Sequence, residues 1–256
     1  MLDGLSPVMT RVRITTLAAL VCLLSTVLAV PATATPSGPD YVALGDSRAA
    51  APTNGSSLRP DGCGRTDDGY PVHVAARLRL SLRSVACVNA TTANVTTTPQ
   101  LTLYGPRPVQ TRVLSRSTKL VTLSIGGTDL QWWSLVSSCF TRKFGRDARC
   151  RDNASVTGRI NSGLVSLAPK IDATLTRIGQ RAPNARVVLV GHGGYYGRTG
   201  CPGQANISTA DAAFVLRFFE RFNAVLRDSA RAHSVVFVDV AGPAAGHDAC
   251  AGLSLI

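Results

Sequence analysis

Apolar positions recur along this chain in two alternating periods. Three short apolar runs end in glycine: Val42-Ala43-Leu44 before Gly45, Lys119 to Ile125 before Gly126-Gly127, and Arg186 to Val190 before Gly191. Each reads as a buried strand leaving through a tight turn. Val235 to Val240 is a fourth such strand, and Ser84 to Cys87 a shorter fifth. Between them the spacing changes to three and four. Tyr70 to Leu82 predicts a partly amphipathic helix, with Pro71 placed in its first turn. Ile160, Leu164, Leu167, Ile171, Leu175 and Ile178 predict a long helix with one buried face, which Pro169 is expected to kink. Ser208, with Asp211 three positions on, resembles a capping box opening a helix whose apolar face runs from Phe214 through Phe222 to Leu226. Arg48 to Gly69 reads as irregular loop, and Asn94 to Thr118 as mostly loop with one helical turn. Strand, loop and helix in repeated order imply a parallel sheet with helices on both faces.

The first 34 residues stand outside this pattern. Arg11 and Arg13 precede an apolar run from Ile14 to Val30, and Ala32-Thr33-Ala34 offers small residues for cleavage. Together they read as a secretory signal over residues 1–34, leaving 35–256 as a single exported, extracellular domain. Export changes the meaning of the cysteines. Cys63, Cys87, Cys139, Cys150, Cys201 and Cys250 remain, an even set that argues for disulfides, though spacing does not choose the pairing. No pair has C-x-x-C spacing, so a zinc site is not expected, and nothing demands a metal or an organic cofactor. The formal net charge is +12, carried mostly by scattered arginines. Arg142, Lys143, Arg146, Arg149 and Arg151 crowd one loop, which offers a face to anionic cell-envelope material. Nucleic acid is not an expected partner for an exported chain with few aromatics beside its charges, and a monomer is expected.

The candidate chemistry starts at Gly45-Asp46-Ser47. A serine placed where a buried strand turns projects its hydroxyl from the carboxyl edge of the sheet, where open α/β folds hold their sites. Ser47 is therefore a candidate nucleophile for acyl transfer, and it needs a base. Of the four histidines, His73 and His233 have ready structural explanations. His192 follows a strand at the correct edge within a glycine-rich turn. His247 follows the last strand near Cys250 and is the best candidate base, with Asp239 and Asp248 as candidates to orient it. Trp132 and Trp133 are placed to line an acyl pocket.

Gly45-Asp46-Ser47, the stretch Cys87 to Thr92, L-V-T-L-S-I-G-G-T-D, A-P-N-A-R-V-V-L-V-G and G-H-D-A-C resemble, in that order, the secreted actinobacterial branch of the SGNH, or GDSL-type, hydrolases. The resemblance implies a three-layer α/β/α sandwich with a mostly parallel sheet. It implies cleavage of small-molecule or lipid carboxylic esters through a serine acyl-enzyme, and disulfides Cys63 to Cys87, Cys139 to Cys150 and Cys201 to Cys250. Ser47 matches the nucleophile, with its own N–H in the oxyanion site. Asn89 stands where the family has a glycine N–H donor, and Thr128 where it has an asparagine amide. The family's His-Pro block and final helix have no counterpart in the sequence, so the resemblance implies an impaired esterase or lipase with His247 as substitute base. The alternatives are a non-catalytic envelope-binding protein on the same fold, or a truncated pseudoenzyme.

Overall fold

Side-chain alternation on the strands sets the layers of this protein. The computed structural model describes residues 38–52, 61–141, 146–193, 195–200 and 206–248, all within one compact unit, Ser37–Ile256. The proposed signal segment and the Cys201 to Cys250 pair lie outside the described residues. Among those described, no helix is long and apolar enough to cross a membrane.

In chain order the elements are β1 (Tyr41–Gly45), α1 (Ser47–Ala50), α2 (Tyr70–Leu78), β2 (Leu82–Ser84), α3 (Thr92–Thr96), β3 (Gln100–Thr102), β4 (Gly105–Arg107) and β5 (Leu120–Ser124). They continue through α4 (Trp132–Ser137), α5 (Ala154–Arg181), β6 (Arg186–Val190), α6 (Thr209–Ala232) and β7 (Val236–Val238). Strands β2, β1, β5, β6 and β7 form one sheet in that order, and every pairing is parallel. This is an α/β sandwich of the expected class. Val42, Leu44, Val121, Leu123 and Leu189 face one side and join the main core with the apolar stripes of α5 and α6. The alternate residues Tyr41, Ala43, Leu120 and Val188 face the other side, where α2 packs through Val74 and Ala75.

The long helices follow the pattern read from the sequence. α5 buries Ile160, Leu164, Leu167, Ile171, Leu175 and Ile178 and continues past Pro169. α6 buries Phe218, Phe219, Phe222 and Leu226. Its N-cap is half of a capping box. Ser208 Oγ accepts from Asp211 N at 3.1 Å, but the Asp211 carboxylate turns to the Cys150 and Arg151 backbone N–H groups and the Arg151 guanidinium.

Three local expectations need correction. The helix from Tyr70 stops at Leu78 rather than Leu82, because Arg79 takes a left-handed φ of 54° and returns its N–H to the Ala75 and Ala76 carbonyls. That early stop moves the next strand forward from Ser84–Cys87 to Leu82–Ser84. The segment Asn94 to Thr118 holds the end of α3, the β3–β4 hairpin and a 3-10 turn at Gln110–Val113. Leu101 and Leu103 of the hairpin are 82% and 98% exposed, so no buried face marked it in the sequence.

Candidate active site

The glycine of Gly45-Asp46-Ser47 is required by how closely two strands approach. Gly45 has φ +137°, and a Cβ there would collide with the Ser124 carbonyl of β5. Asp46 N then donates to that carbonyl at 2.9 Å, and the Asp46 carboxylate caps α1 by accepting from Arg48 N at 3.0 Å. Asp46 is buried, and burial pushes its carboxyl up to about 7 against the pull of the Arg48 N–H. Ser47 opens helix α1, half-buried at the carboxyl edge of the sheet.

The chain around this turn is held by contacts that no local pattern announced. Gln110 is buried and its amide brackets Gly45: Gly45 N donates to Oε1 at 2.7 Å, and Nε2 donates to the Gly45 carbonyl at 2.9 Å. β2 pairs with β1 only as far as Ala43, so Gln110 satisfies the ladder where the neighbouring strand has ended. In the sequence it stands among Val109, Thr111 and Arg112, with no pattern to flag it.

Asn89 lies in the loop after β2, at φ +64°. The left-handed backbone that a glycine would adopt freely is adopted here by asparagine. Cys63 is bonded to Cys87, and Cys87 N donates to the Gly45 carbonyl at 3.0 Å, fixing this loop beside the serine turn. Thr128 lies half-buried in the turn after β5. The adjoining Asp129 receives Thr92 N at 2.9 Å and Thr92 Oγ1 at 2.7 Å, which ties the loops after β2 and β5 together. Ser47, Asn89 and Thr128 thus occupy the carboxyl ends of three adjacent strands. Among the described residues no protein group accepts the N–H of Ser47 or of Asn89.

The histidines are dispersed. His73 pairs with Asp68 on the exposed side of α2, and His233 pairs with Asp172 where α6 ends. His192 is buried against Phe222, ring centroids 4.5 Å apart. Burial, then the nearby Arg48 charge, pushes its imidazole down to about 3, so it stays neutral. Its Nε2 has no hydrogen-bond partner among the described residues. His247 is exposed beyond the turn that follows β7, its backbone N–H donated to Ala244 at 3.0 Å. Asp239, a candidate to orient it, accepts instead from Ala241 N at 2.9 Å. No described residue hydrogen-bonds the Ser47 hydroxyl.

Ser47 opens on a cavity of about 910 Å³, and none of the four histidines lines it. Arg48, Tyr195 and Trp132 wall its upper end. The Arg48 guanidinium carbon stands 4.8 Å from the Tyr195 ring centroid, and Trp132 packs against the same ring at 4.8 Å. Trp133, by contrast, is 59% exposed. Away from the serine the walls are apolar. Cys139 and Cys150 are bonded, and of the basic residues in and beside the segment they bracket, Arg149 pairs with Asp152 and Arg151 with Asp147 and Asp211. The Arg151 guanidinium, then the Ser208 hydroxyl, holds Asp147 well below the usual carboxylate range. Arg142 and Lys143 lie outside the described residues. Among those described, no cluster of three or more His, Cys, Asp or Glu side chains is arranged to hold a metal ion.

A model of the GDSL-like lipase/acylhydrolase family matches residues 43–253. Lipase 1 of Streptomyces coelicolor is 31% identical over 216 residues, covering 83% of this chain and 73% of its own length. A lipase of Streptomyces rimosus is 31% identical over 215 residues, covering 83% and 74%. Among solved structures, phospholipase A1 from Streptomyces albidoflavus superposes with a TM-score of 0.68 at 26% identity, covering 84% of this chain and 85% of that one. The extracellular lipase of Streptomyces rimosus superposes with a TM-score of 0.66 at 27% identity, covering 83% and 85%.

Proposed function

We propose that this chain, which belongs to the GDSL-like lipase/acylhydrolase family, is an exported carboxylic ester hydrolase that works slowly through a Ser47 acyl-enzyme. The observation that carries the reading is the position of Ser47: capped by Asp46 at the end of β1, it is the hydroxyl at the head of a large apolar cavity. In the first half-reaction Ser47 Oγ bonds to the ester carbonyl carbon and loses its proton, and the alcohol departs carrying a proton. In the second, water adds to the acyl carbon and Ser47 Oγ leaves with a proton, releasing the carboxylic acid.

The N–H groups of Ser47 and Asn89, neither committed to a protein acceptor among the described residues, are the proposed oxyanion donors, with the Thr128 hydroxyl as a third. His247 is the proposed proton acceptor, working through water because it does not touch the serine. That separation makes the enzyme slow. Turnover of p-nitrophenyl acetate that vanishes in Ser47→Ala, falls in His247→Ala and is partly restored there by added imidazole is the expected result. Hydrolysis undiminished in Ser47→Ala would remove the acyl-enzyme. A folded protein with no turnover and no labelling of Ser47 by a fluorophosphonate would leave the chain as a binding protein on a hydrolase fold.

A further inference from the structure

The turn of the β3–β4 hairpin is made of Leu103 and Tyr104. Turns this short select glycine, asparagine or aspartate, and Gly105, at φ +91°, already carries the left-handed backbone. Nothing in the turn geometry asks for large apolar side chains at its tip. Leu101 is paired across the hairpin with Pro106, and both are exposed along with Leu103 and Tyr104. Leu103, 98% exposed, projects almost clear of the molecule. Single exposed apolar residues need no explanation, but neighbouring ones on a projecting turn form a patch that marks an interaction site.

The inner face of the same hairpin is polar and fastened down. Gln100 Nε2 donates to the Val88 carbonyl at 2.7 Å, and Thr102 Oγ1 lies 2.8 Å from the Gly105 carbonyl and 3.2 Å from that of Asp61. Thr102 and Tyr104 pack on Gly62 closely enough to exclude a Cβ there. The Cys63–Cys87 bond closes this base, and Val88 N donates to the Cys63 carbonyl at 3.0 Å. The apolar face is therefore held outward. Polar groups of the turn are met within the hairpin: Tyr104 N donates to Thr102 Oγ1 at 3.2 Å, and the Tyr104 carbonyl accepts from Arg107 Nη2 at 2.8 Å. A tip satisfied from within suits a medium that offers no hydrogen bonds. Charge points the same way. From Gly69 to Thr128 the sequence has no Asp or Glu, while Arg83, Arg107, Arg112 and Arg116 flank the hairpin along the chain. Asp61, on which the hairpin rests, is paired with Arg65.

We propose that the β3–β4 hairpin is a membrane-surface anchor: Leu101, Leu103, Tyr104 and Pro106 enter the outer acyl region of an anionic lipid leaflet, and the arginines of the acid-free segment meet its head groups. Apolar insertion and attraction to anionic lipid add in such a contact, and a tyrosine at its rim keeps its hydroxyl in the head-group layer. A second copy of this chain is the poorer occupant. The hairpin face falls far short of the about 20–30 residues a side of a stable interface, and two acid-free surfaces repel. The anchor does not rest on the hydrolase reading.

Binding is measured by co-sedimentation with vesicles of phosphatidylcholine and phosphatidylglycerol in equal parts, and with vesicles of phosphatidylcholine alone. The protein is residues 35–256 carrying Ser47→Ala, so that neither the apolar run Ile14 to Val30 nor lipid hydrolysis enters the measurement; every described element lies within the compact unit Ser37–Ile256. Binding to the mixed vesicles is expected, weaker on phosphatidylcholine alone and falling as salt rises. Leu101→Ser and Leu103→Ser each lower the partition coefficient about tenfold, and the double variant lowers it further. Val165→Ser, at an exposed apolar position on α5, leaves it unchanged. Circular dichroism melts identify any variant that fails to fold, and Leu103→Trp, which keeps an apolar tip, still binds and adds emission that shifts to the blue on vesicles. Absence of binding to the mixed vesicles, binding undiminished in the folded double variant, or an equal loss in Val165→Ser overturns the anchor. Equal binding to phosphatidylcholine alone overturns the anionic leaflet. A dimer in sedimentation velocity that the double variant dissolves also overturns the proposal, since a second copy then covers the hairpin. Turnover of acetate esters by the serine-bearing chain without vesicle binding keeps the hydrolase and loses the anchor; vesicle binding without turnover does the reverse.

Discussion

The Arg48 guanidinium lies over the Tyr195 ring, 4.8 Å from its centroid, and closes the upper end of the cavity beside Ser47. A cation placed there stands where a carboxylate product or an anionic transition state would sit. Removing either partner costs the fold about 0.5–1 kcal/mol. Urea denaturation of Arg48→Gln, Tyr195→Leu and the double variant checks this: the double variant is expected to lose less than the two singles together. Additive losses would show that the pair does not interact.

Two buried groups give this fold opposing responses to pH. The folded pKa of Asp46, about 7, lies above its ordinary value, so the folded state holds this proton more tightly than the unfolded chain does. Its contribution to stability is full below about pH 4 and is lost as pH rises toward 7. His192, at about 3, lies below its ordinary value, so its contribution is full above about pH 6.5 and is lost as pH falls toward 3. The slopes oppose each other across the shared interval. Asp46→Asn keeps an acceptor for Arg48 N and exposes the histidine slope, so its urea midpoint falls on acidification. His192→Leu exposes the carboxyl slope, and its midpoint falls as pH rises.

Gln110 is the support of the serine turn. Gln110→Ala leaves the buried Gly45 N–H without its acceptor, a loss of about 1–3 kcal/mol, while the Gly45 carbonyl retains Cys87 N. Gln110→Glu keeps the acceptor but cannot donate to the same carbonyl. Chemical denaturation is expected to rank the wild type first, and fluorophosphonate labelling of Ser47 is expected to slow in Gln110→Ala.

Thr128 stands where relatives of this family are expected to present an amide. Its shorter, β-branched hydroxyl reaches less far than asparagine. A single oxyanion donor is worth about 2.7–4 kcal/mol in well-formed sites. Thr128→Asn is therefore expected to raise kcat/KM for acetate esters by at least about tenfold without changing the pH at which the protein unfolds, as steady-state assays and melts would show.

Much of this molecule was legible because burial leaves a mark on one-dimensional patterns. β6 matches the run from Arg186 to Val190, and the stripe from Ile160 to Ile178 is buried along α5. Two cysteine pairs, Cys63 to Cys87 and Cys139 to Cys150, are bonded as the family resemblance implied. The helix stop at Arg79 left no mark, because a left-handed cap on an arginine has no sequence signature. The β3–β4 hairpin, whose leucines lie exposed, left none either. Gln110 was missed because its partner is 65 positions away.

By itself the sequence determined the parallel order of strands and helices, the glycine turn that presents Ser47, and the residue types offered as donors. Those depend on neighbours within one turn or one strand, where local sterics and periodic burial decide. Tertiary structure alone decided that His192 is sealed against Phe222, that His247 stands apart from the serine, and that the alternate valines of β6 and β7 open on the cavity at Ser47. The physical reason is that burial, charge and hydrogen-bond partnership belong to groups brought together across the chain, and their separation in space is set by how the layers pack.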